Sequence, residues 1–285
     1  MGKAAETHRR SLEAREEFWR EAAAAIDWER EPERILDDSR APFYRWFPGG
    51  VLNTCHNAVD RHVAAGRGGQ PALVYDSPVT GTKHVYTYAE LRDEVARLAG
   101  ALRGLGVEQG DTVVVYMPMV PEALFAMLAC ARLGAVHSVV FGGFAPHELA
   151  IRIDDARQKV VISASCGVEA GRVLEYKPLL DRALELAEHE TCCVVLQREQ
   201  ALAPLVPGRD VDWAELVDGA AAVPCVPVAA TDPLYILYTS GTTAIPKGVV
   251  RDNGGHAVAL RYSMDAIYDT HPGRSTGRPP TSAGS

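Results

Sequence analysis

The sequence predicts an α/β fold, a largely parallel sheet with flanking helices and an N-terminal extension, and three observations carry that expectation. Short apolar runs, V-V-V-Y ending at Tyr116, V-V-I ending at Ile162 and C-V-V-L ending at Leu196, have the length of strands and no charged residue, as strands covered on both faces do. Longer segments with helical apolar spacing separate them, the alternation expected of βαβ units. The ends of those segments also carry helix punctuation: Thr87 with Glu90 as a capping box, Pro121 in a first turn and Gly134 just past a last one.

Taken in order, Phe18, Trp19, Ala22, Ala23 and Ile26 fall on one face of an N-terminal helix, with Glu16, Glu17, Arg20 and Glu21 between them. Residues 43–57, F-Y-R-W-F-P-G-G-V-L-N-T-C-H-N, gather aromatics before a Pro-Gly-Gly turn and read as a packed arm. Glycines at 66–69 mark a loop, and 71–75 with 84–86 read as a hairpin. The capping box then opens a helix through Leu91, Val95, Leu98, Ala99 and Leu102 that ends near Gly104 and Gly106. Strands are expected at 111–117, 135–141, 160–163 and 193–197, and helices from Pro121 to Gly134, at 146–156 and at 176–188. Residues 219–232, rich in Ala, Pro and Val, read as a surface linker. No internal repeat is present.

With 285 residues, 47% hydrophobic and 23% charged, the chain has the composition of a globular protein. A net charge of −8 argues against broad nucleic-acid or anionic-membrane binding, while leaving room for a local phosphate site. The N-terminus has no apolar core of a signal peptide and no stretch is long enough to span a bilayer, so a cytoplasmic location is expected. The six cysteines, Cys55, Cys130, Cys166, Cys192, Cys193 and Cys225, show no C-x-x-C pair and are expected as reduced thiols. His189 with Cys192 and Cys193 is a weak metal motif, because adjacent strand residues point to opposite faces; no metal ligand is expected.

The stretch around which the chain is organised is Y-T-S-G-T-T-A-I-P-K-G-V, 238–249, directly after the apolar run 234–237. Thr239, Ser240, Thr242 and Thr243 offer hydroxyls, Gly241 and Gly248 allow backbone N–H groups to approach an anion, and Lys247 adds a positive charge. This is a phosphate grip without the Walker pattern, since Pro246 precedes the lysine and Gly248 follows it. At the ends of such sheets ligands usually bind, so Gly143, in F-G-G-F, and Arg172, in G-V-E-A-G-R, are further candidates, with a tight turn as the equal alternative for the former.

These residues carry a resemblance. Y-T-S-G-T-T-x-x-P-K-G-V resembles the ATP-phosphate loop of the adenylate-forming enzymes. The continuation V-R-D-N-G-G-H-A-V-A-L and the words L-N-T-C-x-N near residue 53 are similar to the propionyl-CoA synthetase branch of short-chain acyl-CoA synthetases. The resemblance covers about 18–273. It implies the incomplete N-terminal part of the adenylate-forming fold, with an N-terminal extension at 1–70, a partial AMP-binding domain at 71–272 and a tail at 273–285. It also implies the complete enzyme's substrates: a short-chain carboxylate, ATP with Mg²⁺, and CoA. Thr239, Ser240, Gly241, Thr242, Thr243 and Lys247 would grip the ATP phosphates, and Gly143 and Arg172 would lie near the nucleotide portion of CoA.

Two positions depart from the family pattern. Ala244 stands where the family has glycine, and Glu169 where the acetyl-CoA synthetase branch has arginine. Beyond Gly273 the composition loses all apolar period. Codons legal for residues 274–284, read one base out of frame, give E-V-Y-W-T-A-S-D-V-G-W, a family-like phrase, so the tail is expected to be an out-of-frame remnant. The resemblance then places the acyl pocket, the metal carboxylate and the catalytic lysine beyond these residues, and no complete catalytic set is expected here. The alternatives are a non-catalytic ATP- or CoA-binding module, with a partner supplying the missing C-terminal part, and a product that does not fold.

Overall fold

The computed structural model describes residues 2–140, 142–169, 171–239 and 246–277. The chain opens with helices α1 (Lys3–Glu13) and α2 (Arg15–Ala23), then the short strands β1 (Leu36–Asp37), β2 (Arg45–Trp46) and β3 (Val51–Leu52). After two helical turns come the hairpin β4 (Pro71–Ser77) and β5 (Thr82–Thr87), and then α3 (Tyr88–Gly104), β6 (Thr112–Tyr116), α4 (Pro121–Leu133), β7 (Val136–Val139), α5 (Pro146–Ala156) and β8 (Val160–Ala164). The hairpin β9 (Cys166–Glu169) and β10 (Arg172–Glu175) leads to α6 (Tyr176–Leu186), β11 (Cys192–Leu196), β12 (Asp210–Asp212) and α7 (Trp213–Val217). Last are β13 (Val228–Ala229), β14 (Pro233–Thr239), β15 (Lys247–Asp252) and α8 (Asn253–Ala266).

The main sheet has seven strands in the order β12-β11-β8-β6-β7-β14-β15, parallel throughout except for the antiparallel hairpin β14–β15 at one edge. Its centre is covered on both faces because successive strand residues alternate sides. Val113, Val115, Val160, Ile162 and Val194 pack toward α3 and α4, whereas Val114, Tyr116, Val161, Cys193 and Val195 pack toward α5 and α6. A third apolar cluster joins Phe47 and Leu52 of the N-terminal arm to Ala257 and Val258 of α8.

Local signals fix the element ends. The Thr87 side chain accepts from the Glu90 N–H while the Glu90 carboxylate accepts from the Thr87 N–H, so the expected capping box opens α3. Pro121 begins α4, and Gly134 ends it at φ 73°, where a Cβ would meet Val228 Cγ1 at 2.7 Å.

The 219–232 segment departs from its reading as a surface linker. Val223, Val228 and Ala230 are buried, β13 pairs with β3, and the Val226 N–H donates to the Arg132 carbonyl at 2.8 Å. Those three buried residues fill space between the N-terminal arm and the helices, while Ala221, Ala222, Pro224 and Pro227 around them stay exposed, and proline keeps the segment from forming a longer element. The arm itself is packed in part: Phe47 is buried, while Phe43 and Tyr44 are exposed on a cleft.

Candidate functional site

β7 and β14 lie side by side and parallel, with Tyr235 opposite His137, so both strands deliver their C-terminal ends to the same edge of the sheet. From one end runs the Gly142–Phe144 turn, and the other leads into the segment 240–245. Two described members of the expected phosphate grip flank that segment and form the neck of the expected loop. Thr239 and Lys247 are directly opposite each other across the β14–β15 ladder, and the Thr239 hydroxyl donates to the Lys247 carbonyl at 3.5 Å. Lys247 is exposed, its charge held at the rim. Ser240, Gly241, Thr242 and Thr243, with Ala244, lie outside the described residues.

Gly248 has a different reason from the one its motif suggests. It sits opposite Tyr238, and a Cβ there would meet Ile236 Cγ2 at 3.0 Å and the Tyr238 ring at 3.3 Å. The glycine thus accommodates cross-strand packing, in which an aromatic ring lies over a bare backbone. Tyr238 is then anchored from α5, its hydroxyl donating to Asp155 Oδ2 at 2.5 Å. Burial, followed by that hydrogen bond and the Asp155 charge, pushes the phenol above its ordinary range.

Arg152 couples the loop neck to the glycine turn. Its guanidinium carbon lies 5.5 Å from the Tyr238 ring centre and 4.6 Å from that of Phe144, while Nη1 pairs with Glu148 at 2.9 Å. In the turn, Gly142 is buried against Tyr176, whose hydroxyl would lie 2.1 Å from an added Cβ, and the Tyr116 hydroxyl donates to the Gly142 carbonyl at 3.2 Å. Tyr176 also fills the space over Gly167, so one ring requires two glycines from separate segments. Gly143 itself is exposed.

Arg172 opens β10 opposite Glu169 of β9, and its Nε and Nη2 donate to one Glu169 oxygen at 3.0 and 2.7 Å. The guanidinium is 68% exposed and therefore available to a phosphate, although a bound anion must share it with that carboxylate. The structure thus brings the Gly143 turn, the loop neck and the β9–β10 hairpin to one end of the sheet, the first two bridged by Arg152. Nothing in the sequence pattern singled out Arg152, Asp155 or Tyr176. They lie on helices whose charged and aromatic residues look solvent-facing until the strands are placed.

On the other side of β14, a cleft of about 820 Å³ is lined by Trp46, Tyr235, Arg251, Asp252 and His256 together with the exposed Phe43 and Tyr44. Tyr235 stands edge-on to His256, with ring centres 4.9 Å apart, and lies 5.5 Å from the His137 ring. Burial, with the nearby His256 second, lowers the His137 pKa to about 4. Burial also lowers His256 and raises Asp252, so the cleft floor favours uncharged forms.

Comparison with known proteins gives this geometry its relatives. Residues 60–278 match the AMP-binding enzyme family, and residues 4–58 match the acetyl-coenzyme A synthetase N-terminus. The human mitochondrial acyl-CoA synthetase short-chain family member 3 is 50% identical over 260 residues, covering 90% of this chain and 38% of the relative. A propionate–CoA ligase of Salmonella typhimurium is 49% identical over 269 residues, covering 92% and 42%. Among solved structures, acetoacetyl-CoA synthetase from Streptomyces lividans superposes with a TM-score of 0.87 at 29% identity, over 96% of this chain and 42% of that one. The chain spans about two fifths of the length of the curated relatives it matches. It belongs to the AMP-binding enzyme family and matches the N-terminal part of that family's short-chain acyl-CoA synthetases.

Proposed function

We propose that this chain supplies the phosphate-gripping part of a cytoplasmic propionate–CoA ligase. The observation that carries the reading is the loop neck, in which Thr239 and Lys247 are held opposite each other at the C-terminal end of a parallel sheet. The ligase reaction joins the carboxylate oxygen to the α-phosphorus of ATP with loss of pyrophosphate, and then passes the acyl group to the CoA thiol. Thr239, Ser240, Gly241, Thr242, Thr243 and Lys247 hold the β- and γ-phosphates, keeping the leaving pyrophosphate in line and offsetting the charge it gains. Mg²⁺ bound with the nucleotide would supply further positive charge beside Lys247. None of the six is a covalent nucleophile.

Gly143 and Arg172 are assigned to CoA. Exposed Gly143 offers backbone without a side chain in the way, and exposed Arg172 offers a fork of donors to a phosphate. Glu169 reduces the net positive charge there and selects against tight phosphate capture. The outer edge of β15 is where a partner segment would pair, were the other three fifths of the relatives' length supplied separately.

The test is calorimetric titration of the 285-residue protein with ATP and Mg²⁺. Saturable binding that Lys247→Ala removes and Arg172→Ala leaves intact is expected, with the converse for CoA. Equal ATP affinity in wild type and Lys247→Ala would overturn the assignment. We further expect no propionyl-CoA from this chain alone with propionate, ATP and CoA, and its formation would show that the two fifths present contain a complete catalytic set.

A further inference from the structure

Between α4 and the N-terminal arm lies a compact polar cluster that the nucleotide site does not use. Arg132, with a side chain only 5% exposed, places Nη1 and Nη2 on the two oxygens of Asp60 at 2.8 and 2.9 Å and donates through Nε to the Val223 carbonyl at 2.6 Å. Two cysteines from segments 170 positions apart converge on that pair. The Cys55 thiol lies 4.0 Å, and the Cys225 thiol 3.7 Å, from the same Asp60 oxygen, and Arg132 Nη1 is 3.7 Å from Cys55 Sγ. The two sulfurs are within 4.8 Å of each other.

The backbone explains the meeting. β3 and β13 pair antiparallel with Leu52 opposite Val228 and Val51 opposite Ala229, so the chain leaving β3 and the chain entering β13 run close together, and Cys55 stands in the helical turn that begins just past β3. Asn53 holds the approach in place, its amide donating to the carbonyls of Ala131 and Val226 at 2.8 Å each. All six cysteines are free thiols, and among them this is a pair drawn together by two separate anchoring systems.

From this geometry we propose that Cys55 and Cys225 form a redox-responsive pair, oxidised by small disulfides such as glutathione disulfide to an intramolecular bond that fastens the N-terminal arm to the approach of β14. A divalent metal fits the cluster less well, because both Asp60 oxygens already accept from Arg132 and the guanidinium would repel a cation. Cys225, half-buried, is the entry point, and Cys55 is fully buried. The Cys225 thiolate attacks one sulfur of glutathione disulfide, whose S–S bond breaks and releases one glutathione thiolate. Cys55 then gives its proton to the Asp60 carboxylate, which it faces at 4.0 Å, and attacks the Cys225 sulfur of the mixed disulfide, releasing the second glutathione thiolate, which takes up that proton. Two protein thiols are oxidised and one glutathione disulfide is reduced to two thiols.

The hydrogen bond to Cys55 and burial hold the Cys225 thiol above its ordinary range, so oxidation is slow at neutral pH and accelerates as pH rises. The consequence is a closed loop spanning most of the chain, which restricts the unfolded state and raises the melting temperature.

The experiment is oxidation of the folded 285-residue protein with glutathione disulfide, followed by alkylation, intact mass and peptide mapping. The expected result is a mass loss of two hydrogens, a Cys55–Cys225 linked peptide, four cysteines still alkylated, a rise of several degrees in melting temperature, and reversal by dithiothreitol. Cys55→Ser should trap glutathione on Cys225. The wild-type map needs no variant to fold. A map with Cys55 and Cys225 both alkylated, a linkage through any other cysteine, or equimolar zinc shielding both from alkylation would each overturn the proposal.

Discussion

β8 and β15 are both built on paired valines, V-V-I-S-A and K-G-V-V-R-D, yet every residue of β8 is buried and five of the six in β15 are exposed. The difference lies in their neighbours. β8 has β6 and β11 as flanking strands and helices over both faces, whereas β15 is, among the described residues, the edge strand and pairs only with β14. Side-chain chemistry alone therefore does not set burial. The sheet grades from a sealed centre to an open edge, and Thr239 and Lys247 of the proposed phosphate grip sit on the open edge, where local opening is least opposed.

The largest effect that tests this grading is in the centre. Ile162→Ala in β8 should destabilise by about 2–5 kcal/mol, because removed atoms leave a cavity that close-packed neighbours fill poorly. Val250→Ala in β15, at a side chain 55% exposed, should stay within about 0.5 kcal/mol. Urea unfolding of both reads the comparison. Equal losses would break it, showing that β15 is covered in solution.

Next is the seam. His137 on β7 has its pKa lowered to about 4 from the ordinary 6.5, chiefly by burial and then by His256. The folded state keeps this imidazole neutral while the unfolded chain protonates below pH 6.5, so the stability is complete above that value and is lost as pH falls toward 4. At about 1.4 kcal/mol per pH unit the loss reaches about 3 kcal/mol. Denaturant unfolding at several pH values, wild type against His137→Gln, isolates this share from that of His62, also lowered to about 4. Parallel pH profiles for the two proteins would show that the seam is wet.

A smaller effect sharpens the covered side. Thr87→Ala removes the acceptor of the Glu90 N–H at the start of α3 and should cost about 1 kcal/mol, less than Ile162→Ala although it lies on the same covered half. Parity between the two in thermal unfolding would mean that capping rivals packing there.

The same contrast explains what was legible in the sequence. β6, β8 and β11 announced themselves as uninterrupted apolar runs, and α3 to α5 by caps and periodicity, because their burial is symmetrical and their ends are marked locally. What stayed hidden depends on residues far apart. Arg132 and Asp60 pair across 72 positions, and Lys177, 1% exposed, meets Asp181 at 2.6 Å and Asp210 at 2.8 Å. On a helix such charges look like a solvent face. The β9–β10 hairpin and the anchoring of the 219–232 connection through Val223, Val228 and Ala230 were missed likewise, since glycine, alanine and proline report a turn without saying what packs over it. At the site, the motif named Thr239 and Lys247, but Tyr238's hold on Asp155 and the steric reason for Gly248 appear only once the hairpin register is known.

The smallest expected change in stability belongs to the residue with the largest expected change in binding. Lys247 is exposed at the rim of the open edge, so Lys247→Ala should alter unfolding free energy by less than about 0.5 kcal/mol. Loss of one charged donor to a phosphate removes about 1.5–3 kcal/mol of binding, a weakening of roughly tenfold or more in ATP affinity. Measured together, unfolding and titration separate the two halves of the molecule: a centre in which substitutions change stability, and an edge in which they change affinity. If Lys247→Ala instead destabilised the fold as Ile162→Ala does, the loop neck would be part of the packed structure, and the lysine's charge would be neutralised within the protein before any phosphate arrived.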